Sequence, residues 1–231
     1  MNFQEFEKLI NEGAKEITLN EDVILDRSEA ENYKRGIEIN TDDLTIEGNC
    51  HSIDGNKKAP LLNVKASNVT LKNISFKNGY CEYSGGAIVN EGHLTIDGCE
   101  FIDNSSDDFG GAIYNAPNSK LLIKNSGFED NRSDYGGAIY IDSGSTLNLE
   151  GSVLKSNTSE FEGGAIFNKA KLLIYGSLFG KNASFKGGAI YSEDILNIKD
   201  CDFENNIASE GDDIKCEDDN DLTVFNCRFF D

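Results

Sequence analysis

Apolar and polar side chains alternate over three-residue stretches, which then break off and return. Leu94-Thr95-Ile96, Leu147-Asn148-Leu149, Leu172-Leu173-Ile174, Leu196-Asn197-Ile198 and Leu222-Thr223-Val224 each set two apolar side chains on one face. Leu44-Thr45-Ile46, Val69-Thr70-Leu71 and Leu121-Leu122-Ile123 fit the same slot. A period of two belongs to a strand. A second column follows each strand: Phe101 with Asn104, Phe128 with Asn131, Phe179 with Asn182 and Phe203 with Asn206, with Leu154 and Asn157 as a variant. Phe76 and Phe229 hold this column without the same Asn spacing. The third column is Gly-Gly-Ala-Ile, beginning at Gly85, Gly110, Gly136, Gly163 and Gly187, at offsets of 25, 26, 27 and 24 residues. A worn copy, Gly211-Asp212-Asp213-Ile214, stands another 24 residues on.

Self-similarity at this period marks a stacked repeat architecture. Three short segments per repeat, parted by Gly, Asn, Asp and Ser, are too brief for helices but hold three strands and three turns. That is one coil of a parallel β-helix, with each strand paired to its equivalent about 4.8 Å away in the next coil. The expected fold is therefore all-β, a right-handed parallel β-helix (solenoid) of about eight coils, roughly 38 Å long at that spacing. Paired glycines suit a sharp bend, where a Cβ would be penalised.

The repeat runs almost end to end, so residues 1–231 read as one domain. Residues 2–13 differ: Asn2 and Glu5 form a capping-box pair, Phe3, Phe6, Leu9 and Ile10 share a helix face, and Gly13 can end it. Such a helix suits a lid over the first coil, since solenoids cover their open ends. Residues 14–80 carry the early coils in irregular form, and 81–231 carry the Gly-Gly-Ala-Ile and Phe-x-x-Asn coils.

With 21 basic and 41 acidic residues the net charge is −20, which argues against nucleic acid and anionic membrane surfaces as partners. Apolar runs are only a few residues long, so no membrane insertion of this chain is expected. The N-terminal stretch lacks the basic start and continuous apolar segment of a signal peptide. His51 and His93 have no second His or Cys at metal-ligand spacing.

The Gly-Gly-Ala-Ile and Phe-x-x-Asn repeats resemble those of the chlamydial polymorphic outer-membrane proteins. Together with Asp54-Gly55-Asn56 and Asn68-Val69-Thr70-Leu71-Lys72-Asn73-Ile74-Ser75-Phe76, they resemble even more the adhesin-like proteins of methanogenic archaea. The resemblance covers about residues 17–229. It implies an extracellular, surface-displayed β-helix with an adhesive role toward a glycan or protein at a cell surface.

Cys99, Cys201 and Cys227 share a column with Ser126, Ser152 and Ser177. Interchange with Ser indicates a small-residue slot, so these and Cys50, Cys81 and Cys216 are expected as free thiols. Asn90, Asn115 and Asn168 are expected to form an amide ladder between coils. Asn68, Asn73, Asn104, Asn131, Asn157 and Asn182 begin glycosylation sequons, although Asn at bends is also explained by local hydrogen bonding.

Before the glycine pairs an acid is followed by an aromatic residue: Glu82-Tyr83, Asp108-Phe109, Asp134-Tyr135 and Glu160-Phe161, with Ser184-Phe185 closing the series. Stacking would make Tyr83, Phe109, Tyr135, Phe161 and Phe185 a ladder of rings suited to a sugar face. Glu82, Asp108, Asp134 and Glu160 would form a row of carboxylates, for which Ca²⁺ is the conceivable cofactor. The bland alternative is that the rings cover a turn and the carboxylates face water. The acids recur evenly and the basic residues do not gather among them, so a non-catalytic module is expected. The alternative is a β-helix polysaccharide lyase or glycosidase, which needs a cation beside carboxylates or one close acid pair. Leu222–Asp231 ends the repeat without a cap, so either the chain is expected to be part of a longer repeat protein or end-to-end self-association through the C-terminal coil is expected. The acidic run Glu217–Asp221 would only partly blunt that edge.

Overall fold

The computed structural model describes residues 1–218 and 221–230. Asp219 and Asn220 of the acidic run, and Asp231, lie outside the described residues. The chain winds into a parallel β-solenoid with three long sheets of nine, nine and eight strands and a short sheet of four. Nine coils replace the expected eight. The additional coil comes from Glu16–Thr18 and Val23–Ile24, whose strands pair in parallel with Thr45–Glu47 and Ser52–Asp54 across a longer connection.

The Leu-x-Ile strands, among them His93–Asp97, Lys120–Lys124 and Thr146–Glu150, form the first long sheet. The Phe strands, such as Glu100–Ile102, form the second. The Ala-Ile strands, such as Ile88–Asn90 and Ile113–Asn115, form the third. The four-stranded sheet covers the corner before the glycine pairs, with Tyr80–Cys81, Ser105–Ser106, Arg132–Tyr135 and Thr158–Glu162. Like residues stack on like: Leu94 pairs with Leu121, Phe101 with Phe128 and Ile88 with Ile113. Even the looser early coils keep register, with Thr45 opposite Thr70 and Ile53 opposite Phe76.

Inward side chains form one continuous apolar core. Rings of Phe76, Phe101 and Phe128 stack at 4.8 and 4.6 Å, and the stack resumes past Leu154 at Phe179, Phe203 and Phe229 with 5.0 Å spacings. Neither glycine of a motif leaves room for a Cβ, which on Gly136 would lie 2.3 Å from the Ile139 carbonyl oxygen. Gly136 takes φ +65°, a left-handed conformation that L side chains disfavour. Gly137 has no such φ, but a Cβ on it would collide with the carbonyl oxygen of Gly164 in the next coil. The worn copy keeps a left-handed glycine at Gly211 and carries Asp212 where the second would be. No described Ala-Ile strand lies beyond Ile214–Cys216, so nothing there demands the missing Cβ.

Buried polar groups are paired in columns. Asn104, Asn131, Asn157 and Asn182 are fully buried, and each amide donates to the next at 3.0, 2.9, 3.0 and 2.9 Å, ending on Asn206. These four sequons are therefore closed to glycosylation, while Asn68 and Asn73 are exposed. The second Asn ladder is short: Asn90 donates to Asn115 and Asn168 to Ser192, but Ile141 interrupts between them. In the Cys/Ser column a backbone N–H donates to the side chain one coil on, from Cys99 to Ser126, Ser126 to Ser152, Ser152 to Ser177 and Ser177 to the Cys201 sulfur. The slot thus asks for a small acceptor, which both residues supply. All six cysteines are free thiols, and burial pushes the Cys99 and Cys201 thiols up to about 12 and about 11.

Helix α1 (Phe3–Asn11) closes the first coil. Asn2 and Glu5 form the reciprocal capping box, and Phe3, Phe6 and Ile10 are buried.

Candidate ligand-binding face

The corner before the glycine pairs does not carry a single file of rings. Register is set by the glycines, so Ser84 pairs with Phe109, Phe109 with Tyr135, Tyr135 with Glu162 and Glu162 with Lys186. Tyr83, Phe161 and Phe185 stand one residue further from their glycines and occupy the neighbouring column. The spacers Ser84, Glu162 and Lys186 shift them, because alternate strand positions face opposite ways. Tyr83, Phe161 and Phe185 are exposed, whereas Phe109 and Tyr135 are half-buried.

What Phe109 and Tyr135 cover is a ring ladder that the sequence reading passed over. The residue after each Ala-Ile is Val89, Tyr114, Tyr140, Phe167 and Tyr191. From Tyr114 to Tyr191 these rings stack at 5.6, 4.9 and 5.3 Å. Phe109 lies 4.7 Å from Tyr140, and Tyr135 meets Phe167 edge-on at 5.7 Å. The hydroxyl of Tyr114 donates to Asp142 at 2.5 Å and that of Tyr191 to Glu217 at 3.0 Å. Burial, and those carboxylates, push both phenols upward, so they stay protonated. The repeated aromatic after Gly-Gly-Ala-Ile was the available signal.

The carboxylates divide in the same way as the rings. Asp108 and Asp134 precede their glycines by two residues, Glu82 and Glu160 by three. Desolvation, then Glu160 and Asp108, raise the Asp134 carboxyl above its ordinary value. Among the described residues no group of three or more His, Cys, Asp or Glu side chains could hold a metal ion.

The better-formed surface lies on the outer face of the Leu-x-Ile sheet. Its outermost column reads Glu47, Lys72, Asp97, Lys124, Glu150, Tyr175, Lys199, Phe225 from coil to coil. Opposite charges alternate along its first part, and Lys124 pairs with Glu150 at 3.5 Å. Past Glu150 the alternation ends, and two rings, Tyr175 and Phe225, stand on either side of Lys199. The Lys199 ammonium lies 5.7 Å from the Tyr175 centroid and 5.6 Å from that of Phe225, within cation–π range. Tyr175 and Phe225 are 54% and 62% exposed. Between them and the neighbouring column of Asn148, Leu173, Asn197 and Thr223 lies a groove of about 420 Å³. The alternation of Leu-x-Ile with a polar or aromatic residue was visible in the chain, but only the register shows that Tyr175 and Phe225 flank one lysine.

A smaller cavity of about 330 Å³ on the Phe sheet is lined by Glu100, Glu129 and Lys155 beside Gly127. Burial, and Glu129, raise the Glu100 carboxyl.

A solenoid whose strands pair in parallel from coil to coil defines the class. The chain belongs to the right-handed β-helix family: the model of the right handed beta helix region matches residues 16–179. No curated protein and no solved structure matches the chain. No helix among the described residues is long and apolar enough to cross a membrane.

Proposed function

We propose that this chain is a non-catalytic, adhesin-like β-helix module that holds a saccharide of a cell surface in the groove of its Leu-x-Ile sheet. The observation that carries this reading is the Tyr175–Lys199–Phe225 clamp. Two exposed rings, two coils or about 10 Å apart, are held by one ammonium beside a column of Asn148, Leu173, Asn197 and Thr223. Ring faces take the apolar faces of sugars, and Asn148, Asn197 and Thr223 supply donors and acceptors for their hydroxyls. The resemblance of the repeats to those of adhesin-like proteins supports display outside the cell. Phe161 and Phe185 extend the ring surface on the adjoining corner.

A glycan array probed with and without calcium tests the reading. Binding is expected, with loss in a Tyr175→Ala/Phe225→Ala variant whose thermal midpoint is unchanged, since exposed substitutions alter stability by only about 0.5 kcal/mol. Stacked rings contribute about 1 kcal/mol each, so the double variant should bind at least tenfold more weakly. Full binding by this variant, or an empty array in both arms, would overturn the proposal. Phe161→Ala/Phe185→Ala measures the corner separately.

The catalytic alternative, a lyase or glycosidase, has one observation in its favour: burial, and Glu129, raise the Glu100 carboxyl above its ordinary value in a cavity shared with Lys155. Release of reducing sugar from acidic and neutral polysaccharides, lost in Glu100→Gln, would establish it.

A further inference from the structure

We infer a second ligand site at the other end of the stack: a cationic pocket for a sugar ring that bears an oxyanion. The connection between the first two coils runs out over the corner as a loop with a short 3₁₀ turn, Ala30–Tyr33. This loop is anchored. Tyr33 is buried, meets Phe3 of α1 edge-on at 5.3 Å and donates its hydroxyl to Glu7 at 3.2 Å. Gly36, at φ +73°, passes so close to Leu61 that a Cβ would meet its carbonyl carbon at 2.9 Å.

Anchoring of the loop leaves a cavity of about 480 Å³ between it, the turn at Lys58–Pro60 and the Tyr80–Tyr83 segment. Lys34, Arg35 and Lys58 converge on its walls with the rings of Tyr80 and Tyr83 opposite, and they outnumber the two acids of the lining, Glu31 and Glu82. In a chain of net charge −20 such a convergence is unexpected on composition. Lys34 pairs with Glu31 at 2.7 Å, while Arg35 and Lys58 form no ion pair among the described residues. Elsewhere cations are commonly matched to an acid one coil away, as in Lys65–Glu38, Lys169–Glu193 and Lys186–Glu162. Tyr80 is held in place by a 3.0 Å bond from its hydroxyl to Asp107, which leaves Tyr83, the most exposed ring of the corner at 68%, as the free face.

Guanidinium beside ammonium suits a carboxylate or phosphate, which Arg grips with two parallel hydrogen bonds. A tyrosine face beside it suits the ring that carries the group. The proposal is independent of the groove around Lys199, which shares no residue with this pocket.

Titration of the intact 231-residue chain with glucuronate, glucose 6-phosphate, glucose and inorganic phosphate, followed by NMR chemical shifts, tests it. Saturable binding of either anionic sugar at least tenfold tighter than glucose is expected, and the two arms tell carboxylate from phosphate. Arg35→Gln/Lys58→Gln should weaken it about tenfold, the scale of a charge-assisted hydrogen bond. Tyr83→Ala should weaken the sugar but not inorganic phosphate, and Tyr175→Ala/Phe225→Ala should change nothing. The proposal is overturned if neither anionic sugar saturates, if the Arg35/Lys58 variant binds as the parent does, or if inorganic phosphate binds as tightly as the sugar phosphate.

Discussion

At the scale of the residue, one coil's side chain completes its neighbour's hydrogen bonding. Asn131 accepts from the backbone and side-chain N–H of Asn104 at 3.1 and 3.0 Å, and donates to Asn157 and to the Phe101 carbonyl at 2.9 Å. Leucine there would keep the branched shape but remove the acceptor of the Asn104 backbone and side-chain N–H groups and the donor to the Phe101 carbonyl. Each orphan costs about 1–3 kcal/mol, so Asn131→Leu is expected to lower the melting midpoint by about 10 °C at about 2–4 °C per kcal/mol. A shift below about 2 °C in thermal circular dichroism would show that the ladder is decoration. The same accounting separates Phe109 and Tyr135 from the exposed rings. They pack on Tyr140 and Phe167, so replacing them probes stability before it probes any ligand.

Element-scale order was legible in the chain wherever one side chain fills one slot. Leu-x-Ile, Phe-x-x-Asn and Gly-Gly-Ala-Ile mark the three long sheets, and the capping-box helix stands where its pattern puts it. The short corner sheet was not legible, because its strands carry Ser105, Arg132 and Thr158 with no shared apolar period. For the same reason the ring ladder was misaligned: a one-residue spacer before the glycines moves a side chain to the other face, and alternation offers no check on it there. Tyr175 and Phe225 were overlooked because they follow strands whose other copies carry charges. The glycine pair gives the sharpest test of the element. Gly136→Ala strains a left-handed residue by about 1–2 kcal/mol and sets a methyl 2.3 Å from the Ile139 carbonyl oxygen, while Gly137→Ala drives one into the Gly164 carbonyl; in both the obstacle is backbone that cannot retreat. Each loss is expected to exceed about 4 kcal/mol, the range of core disruption, measured by urea unfolding of the two variants side by side. A loss of only about 1–2 kcal/mol in either would mean that the close approach of backbone does not select that glycine.

For the whole molecule the decisive contrast is between its two ends. Helix α1 buries Phe3, Phe6 and Ile10 over the first coil. At the other end Phe229 is 50% exposed, although its neighbour in the stack, Phe203, is 0% exposed. Val224, the inward partner of the buried Ile198, is likewise exposed, and no described residue covers this cross-section of the core. Strands Leu222–Phe225 and Arg228–Phe230 present free edges there, and an uncovered edge is a template for pairing. Because α1 covers the first coil, the pairing we propose for the 231 residues as given is tail-to-tail about a two-fold axis. The charge of −20 opposes it, and added salt, which shortens the reach of repulsion to about 8 Å at 0.15 M, favours it. Light scattering after size exclusion at several concentrations should show a monomer passing to a dimer, at lower concentration when salt is added. Phe229→Lys, which places a charge in the exposed core, should return it to monomer without loss of β-structure. A monomer at every concentration and salt level would exclude the pairing.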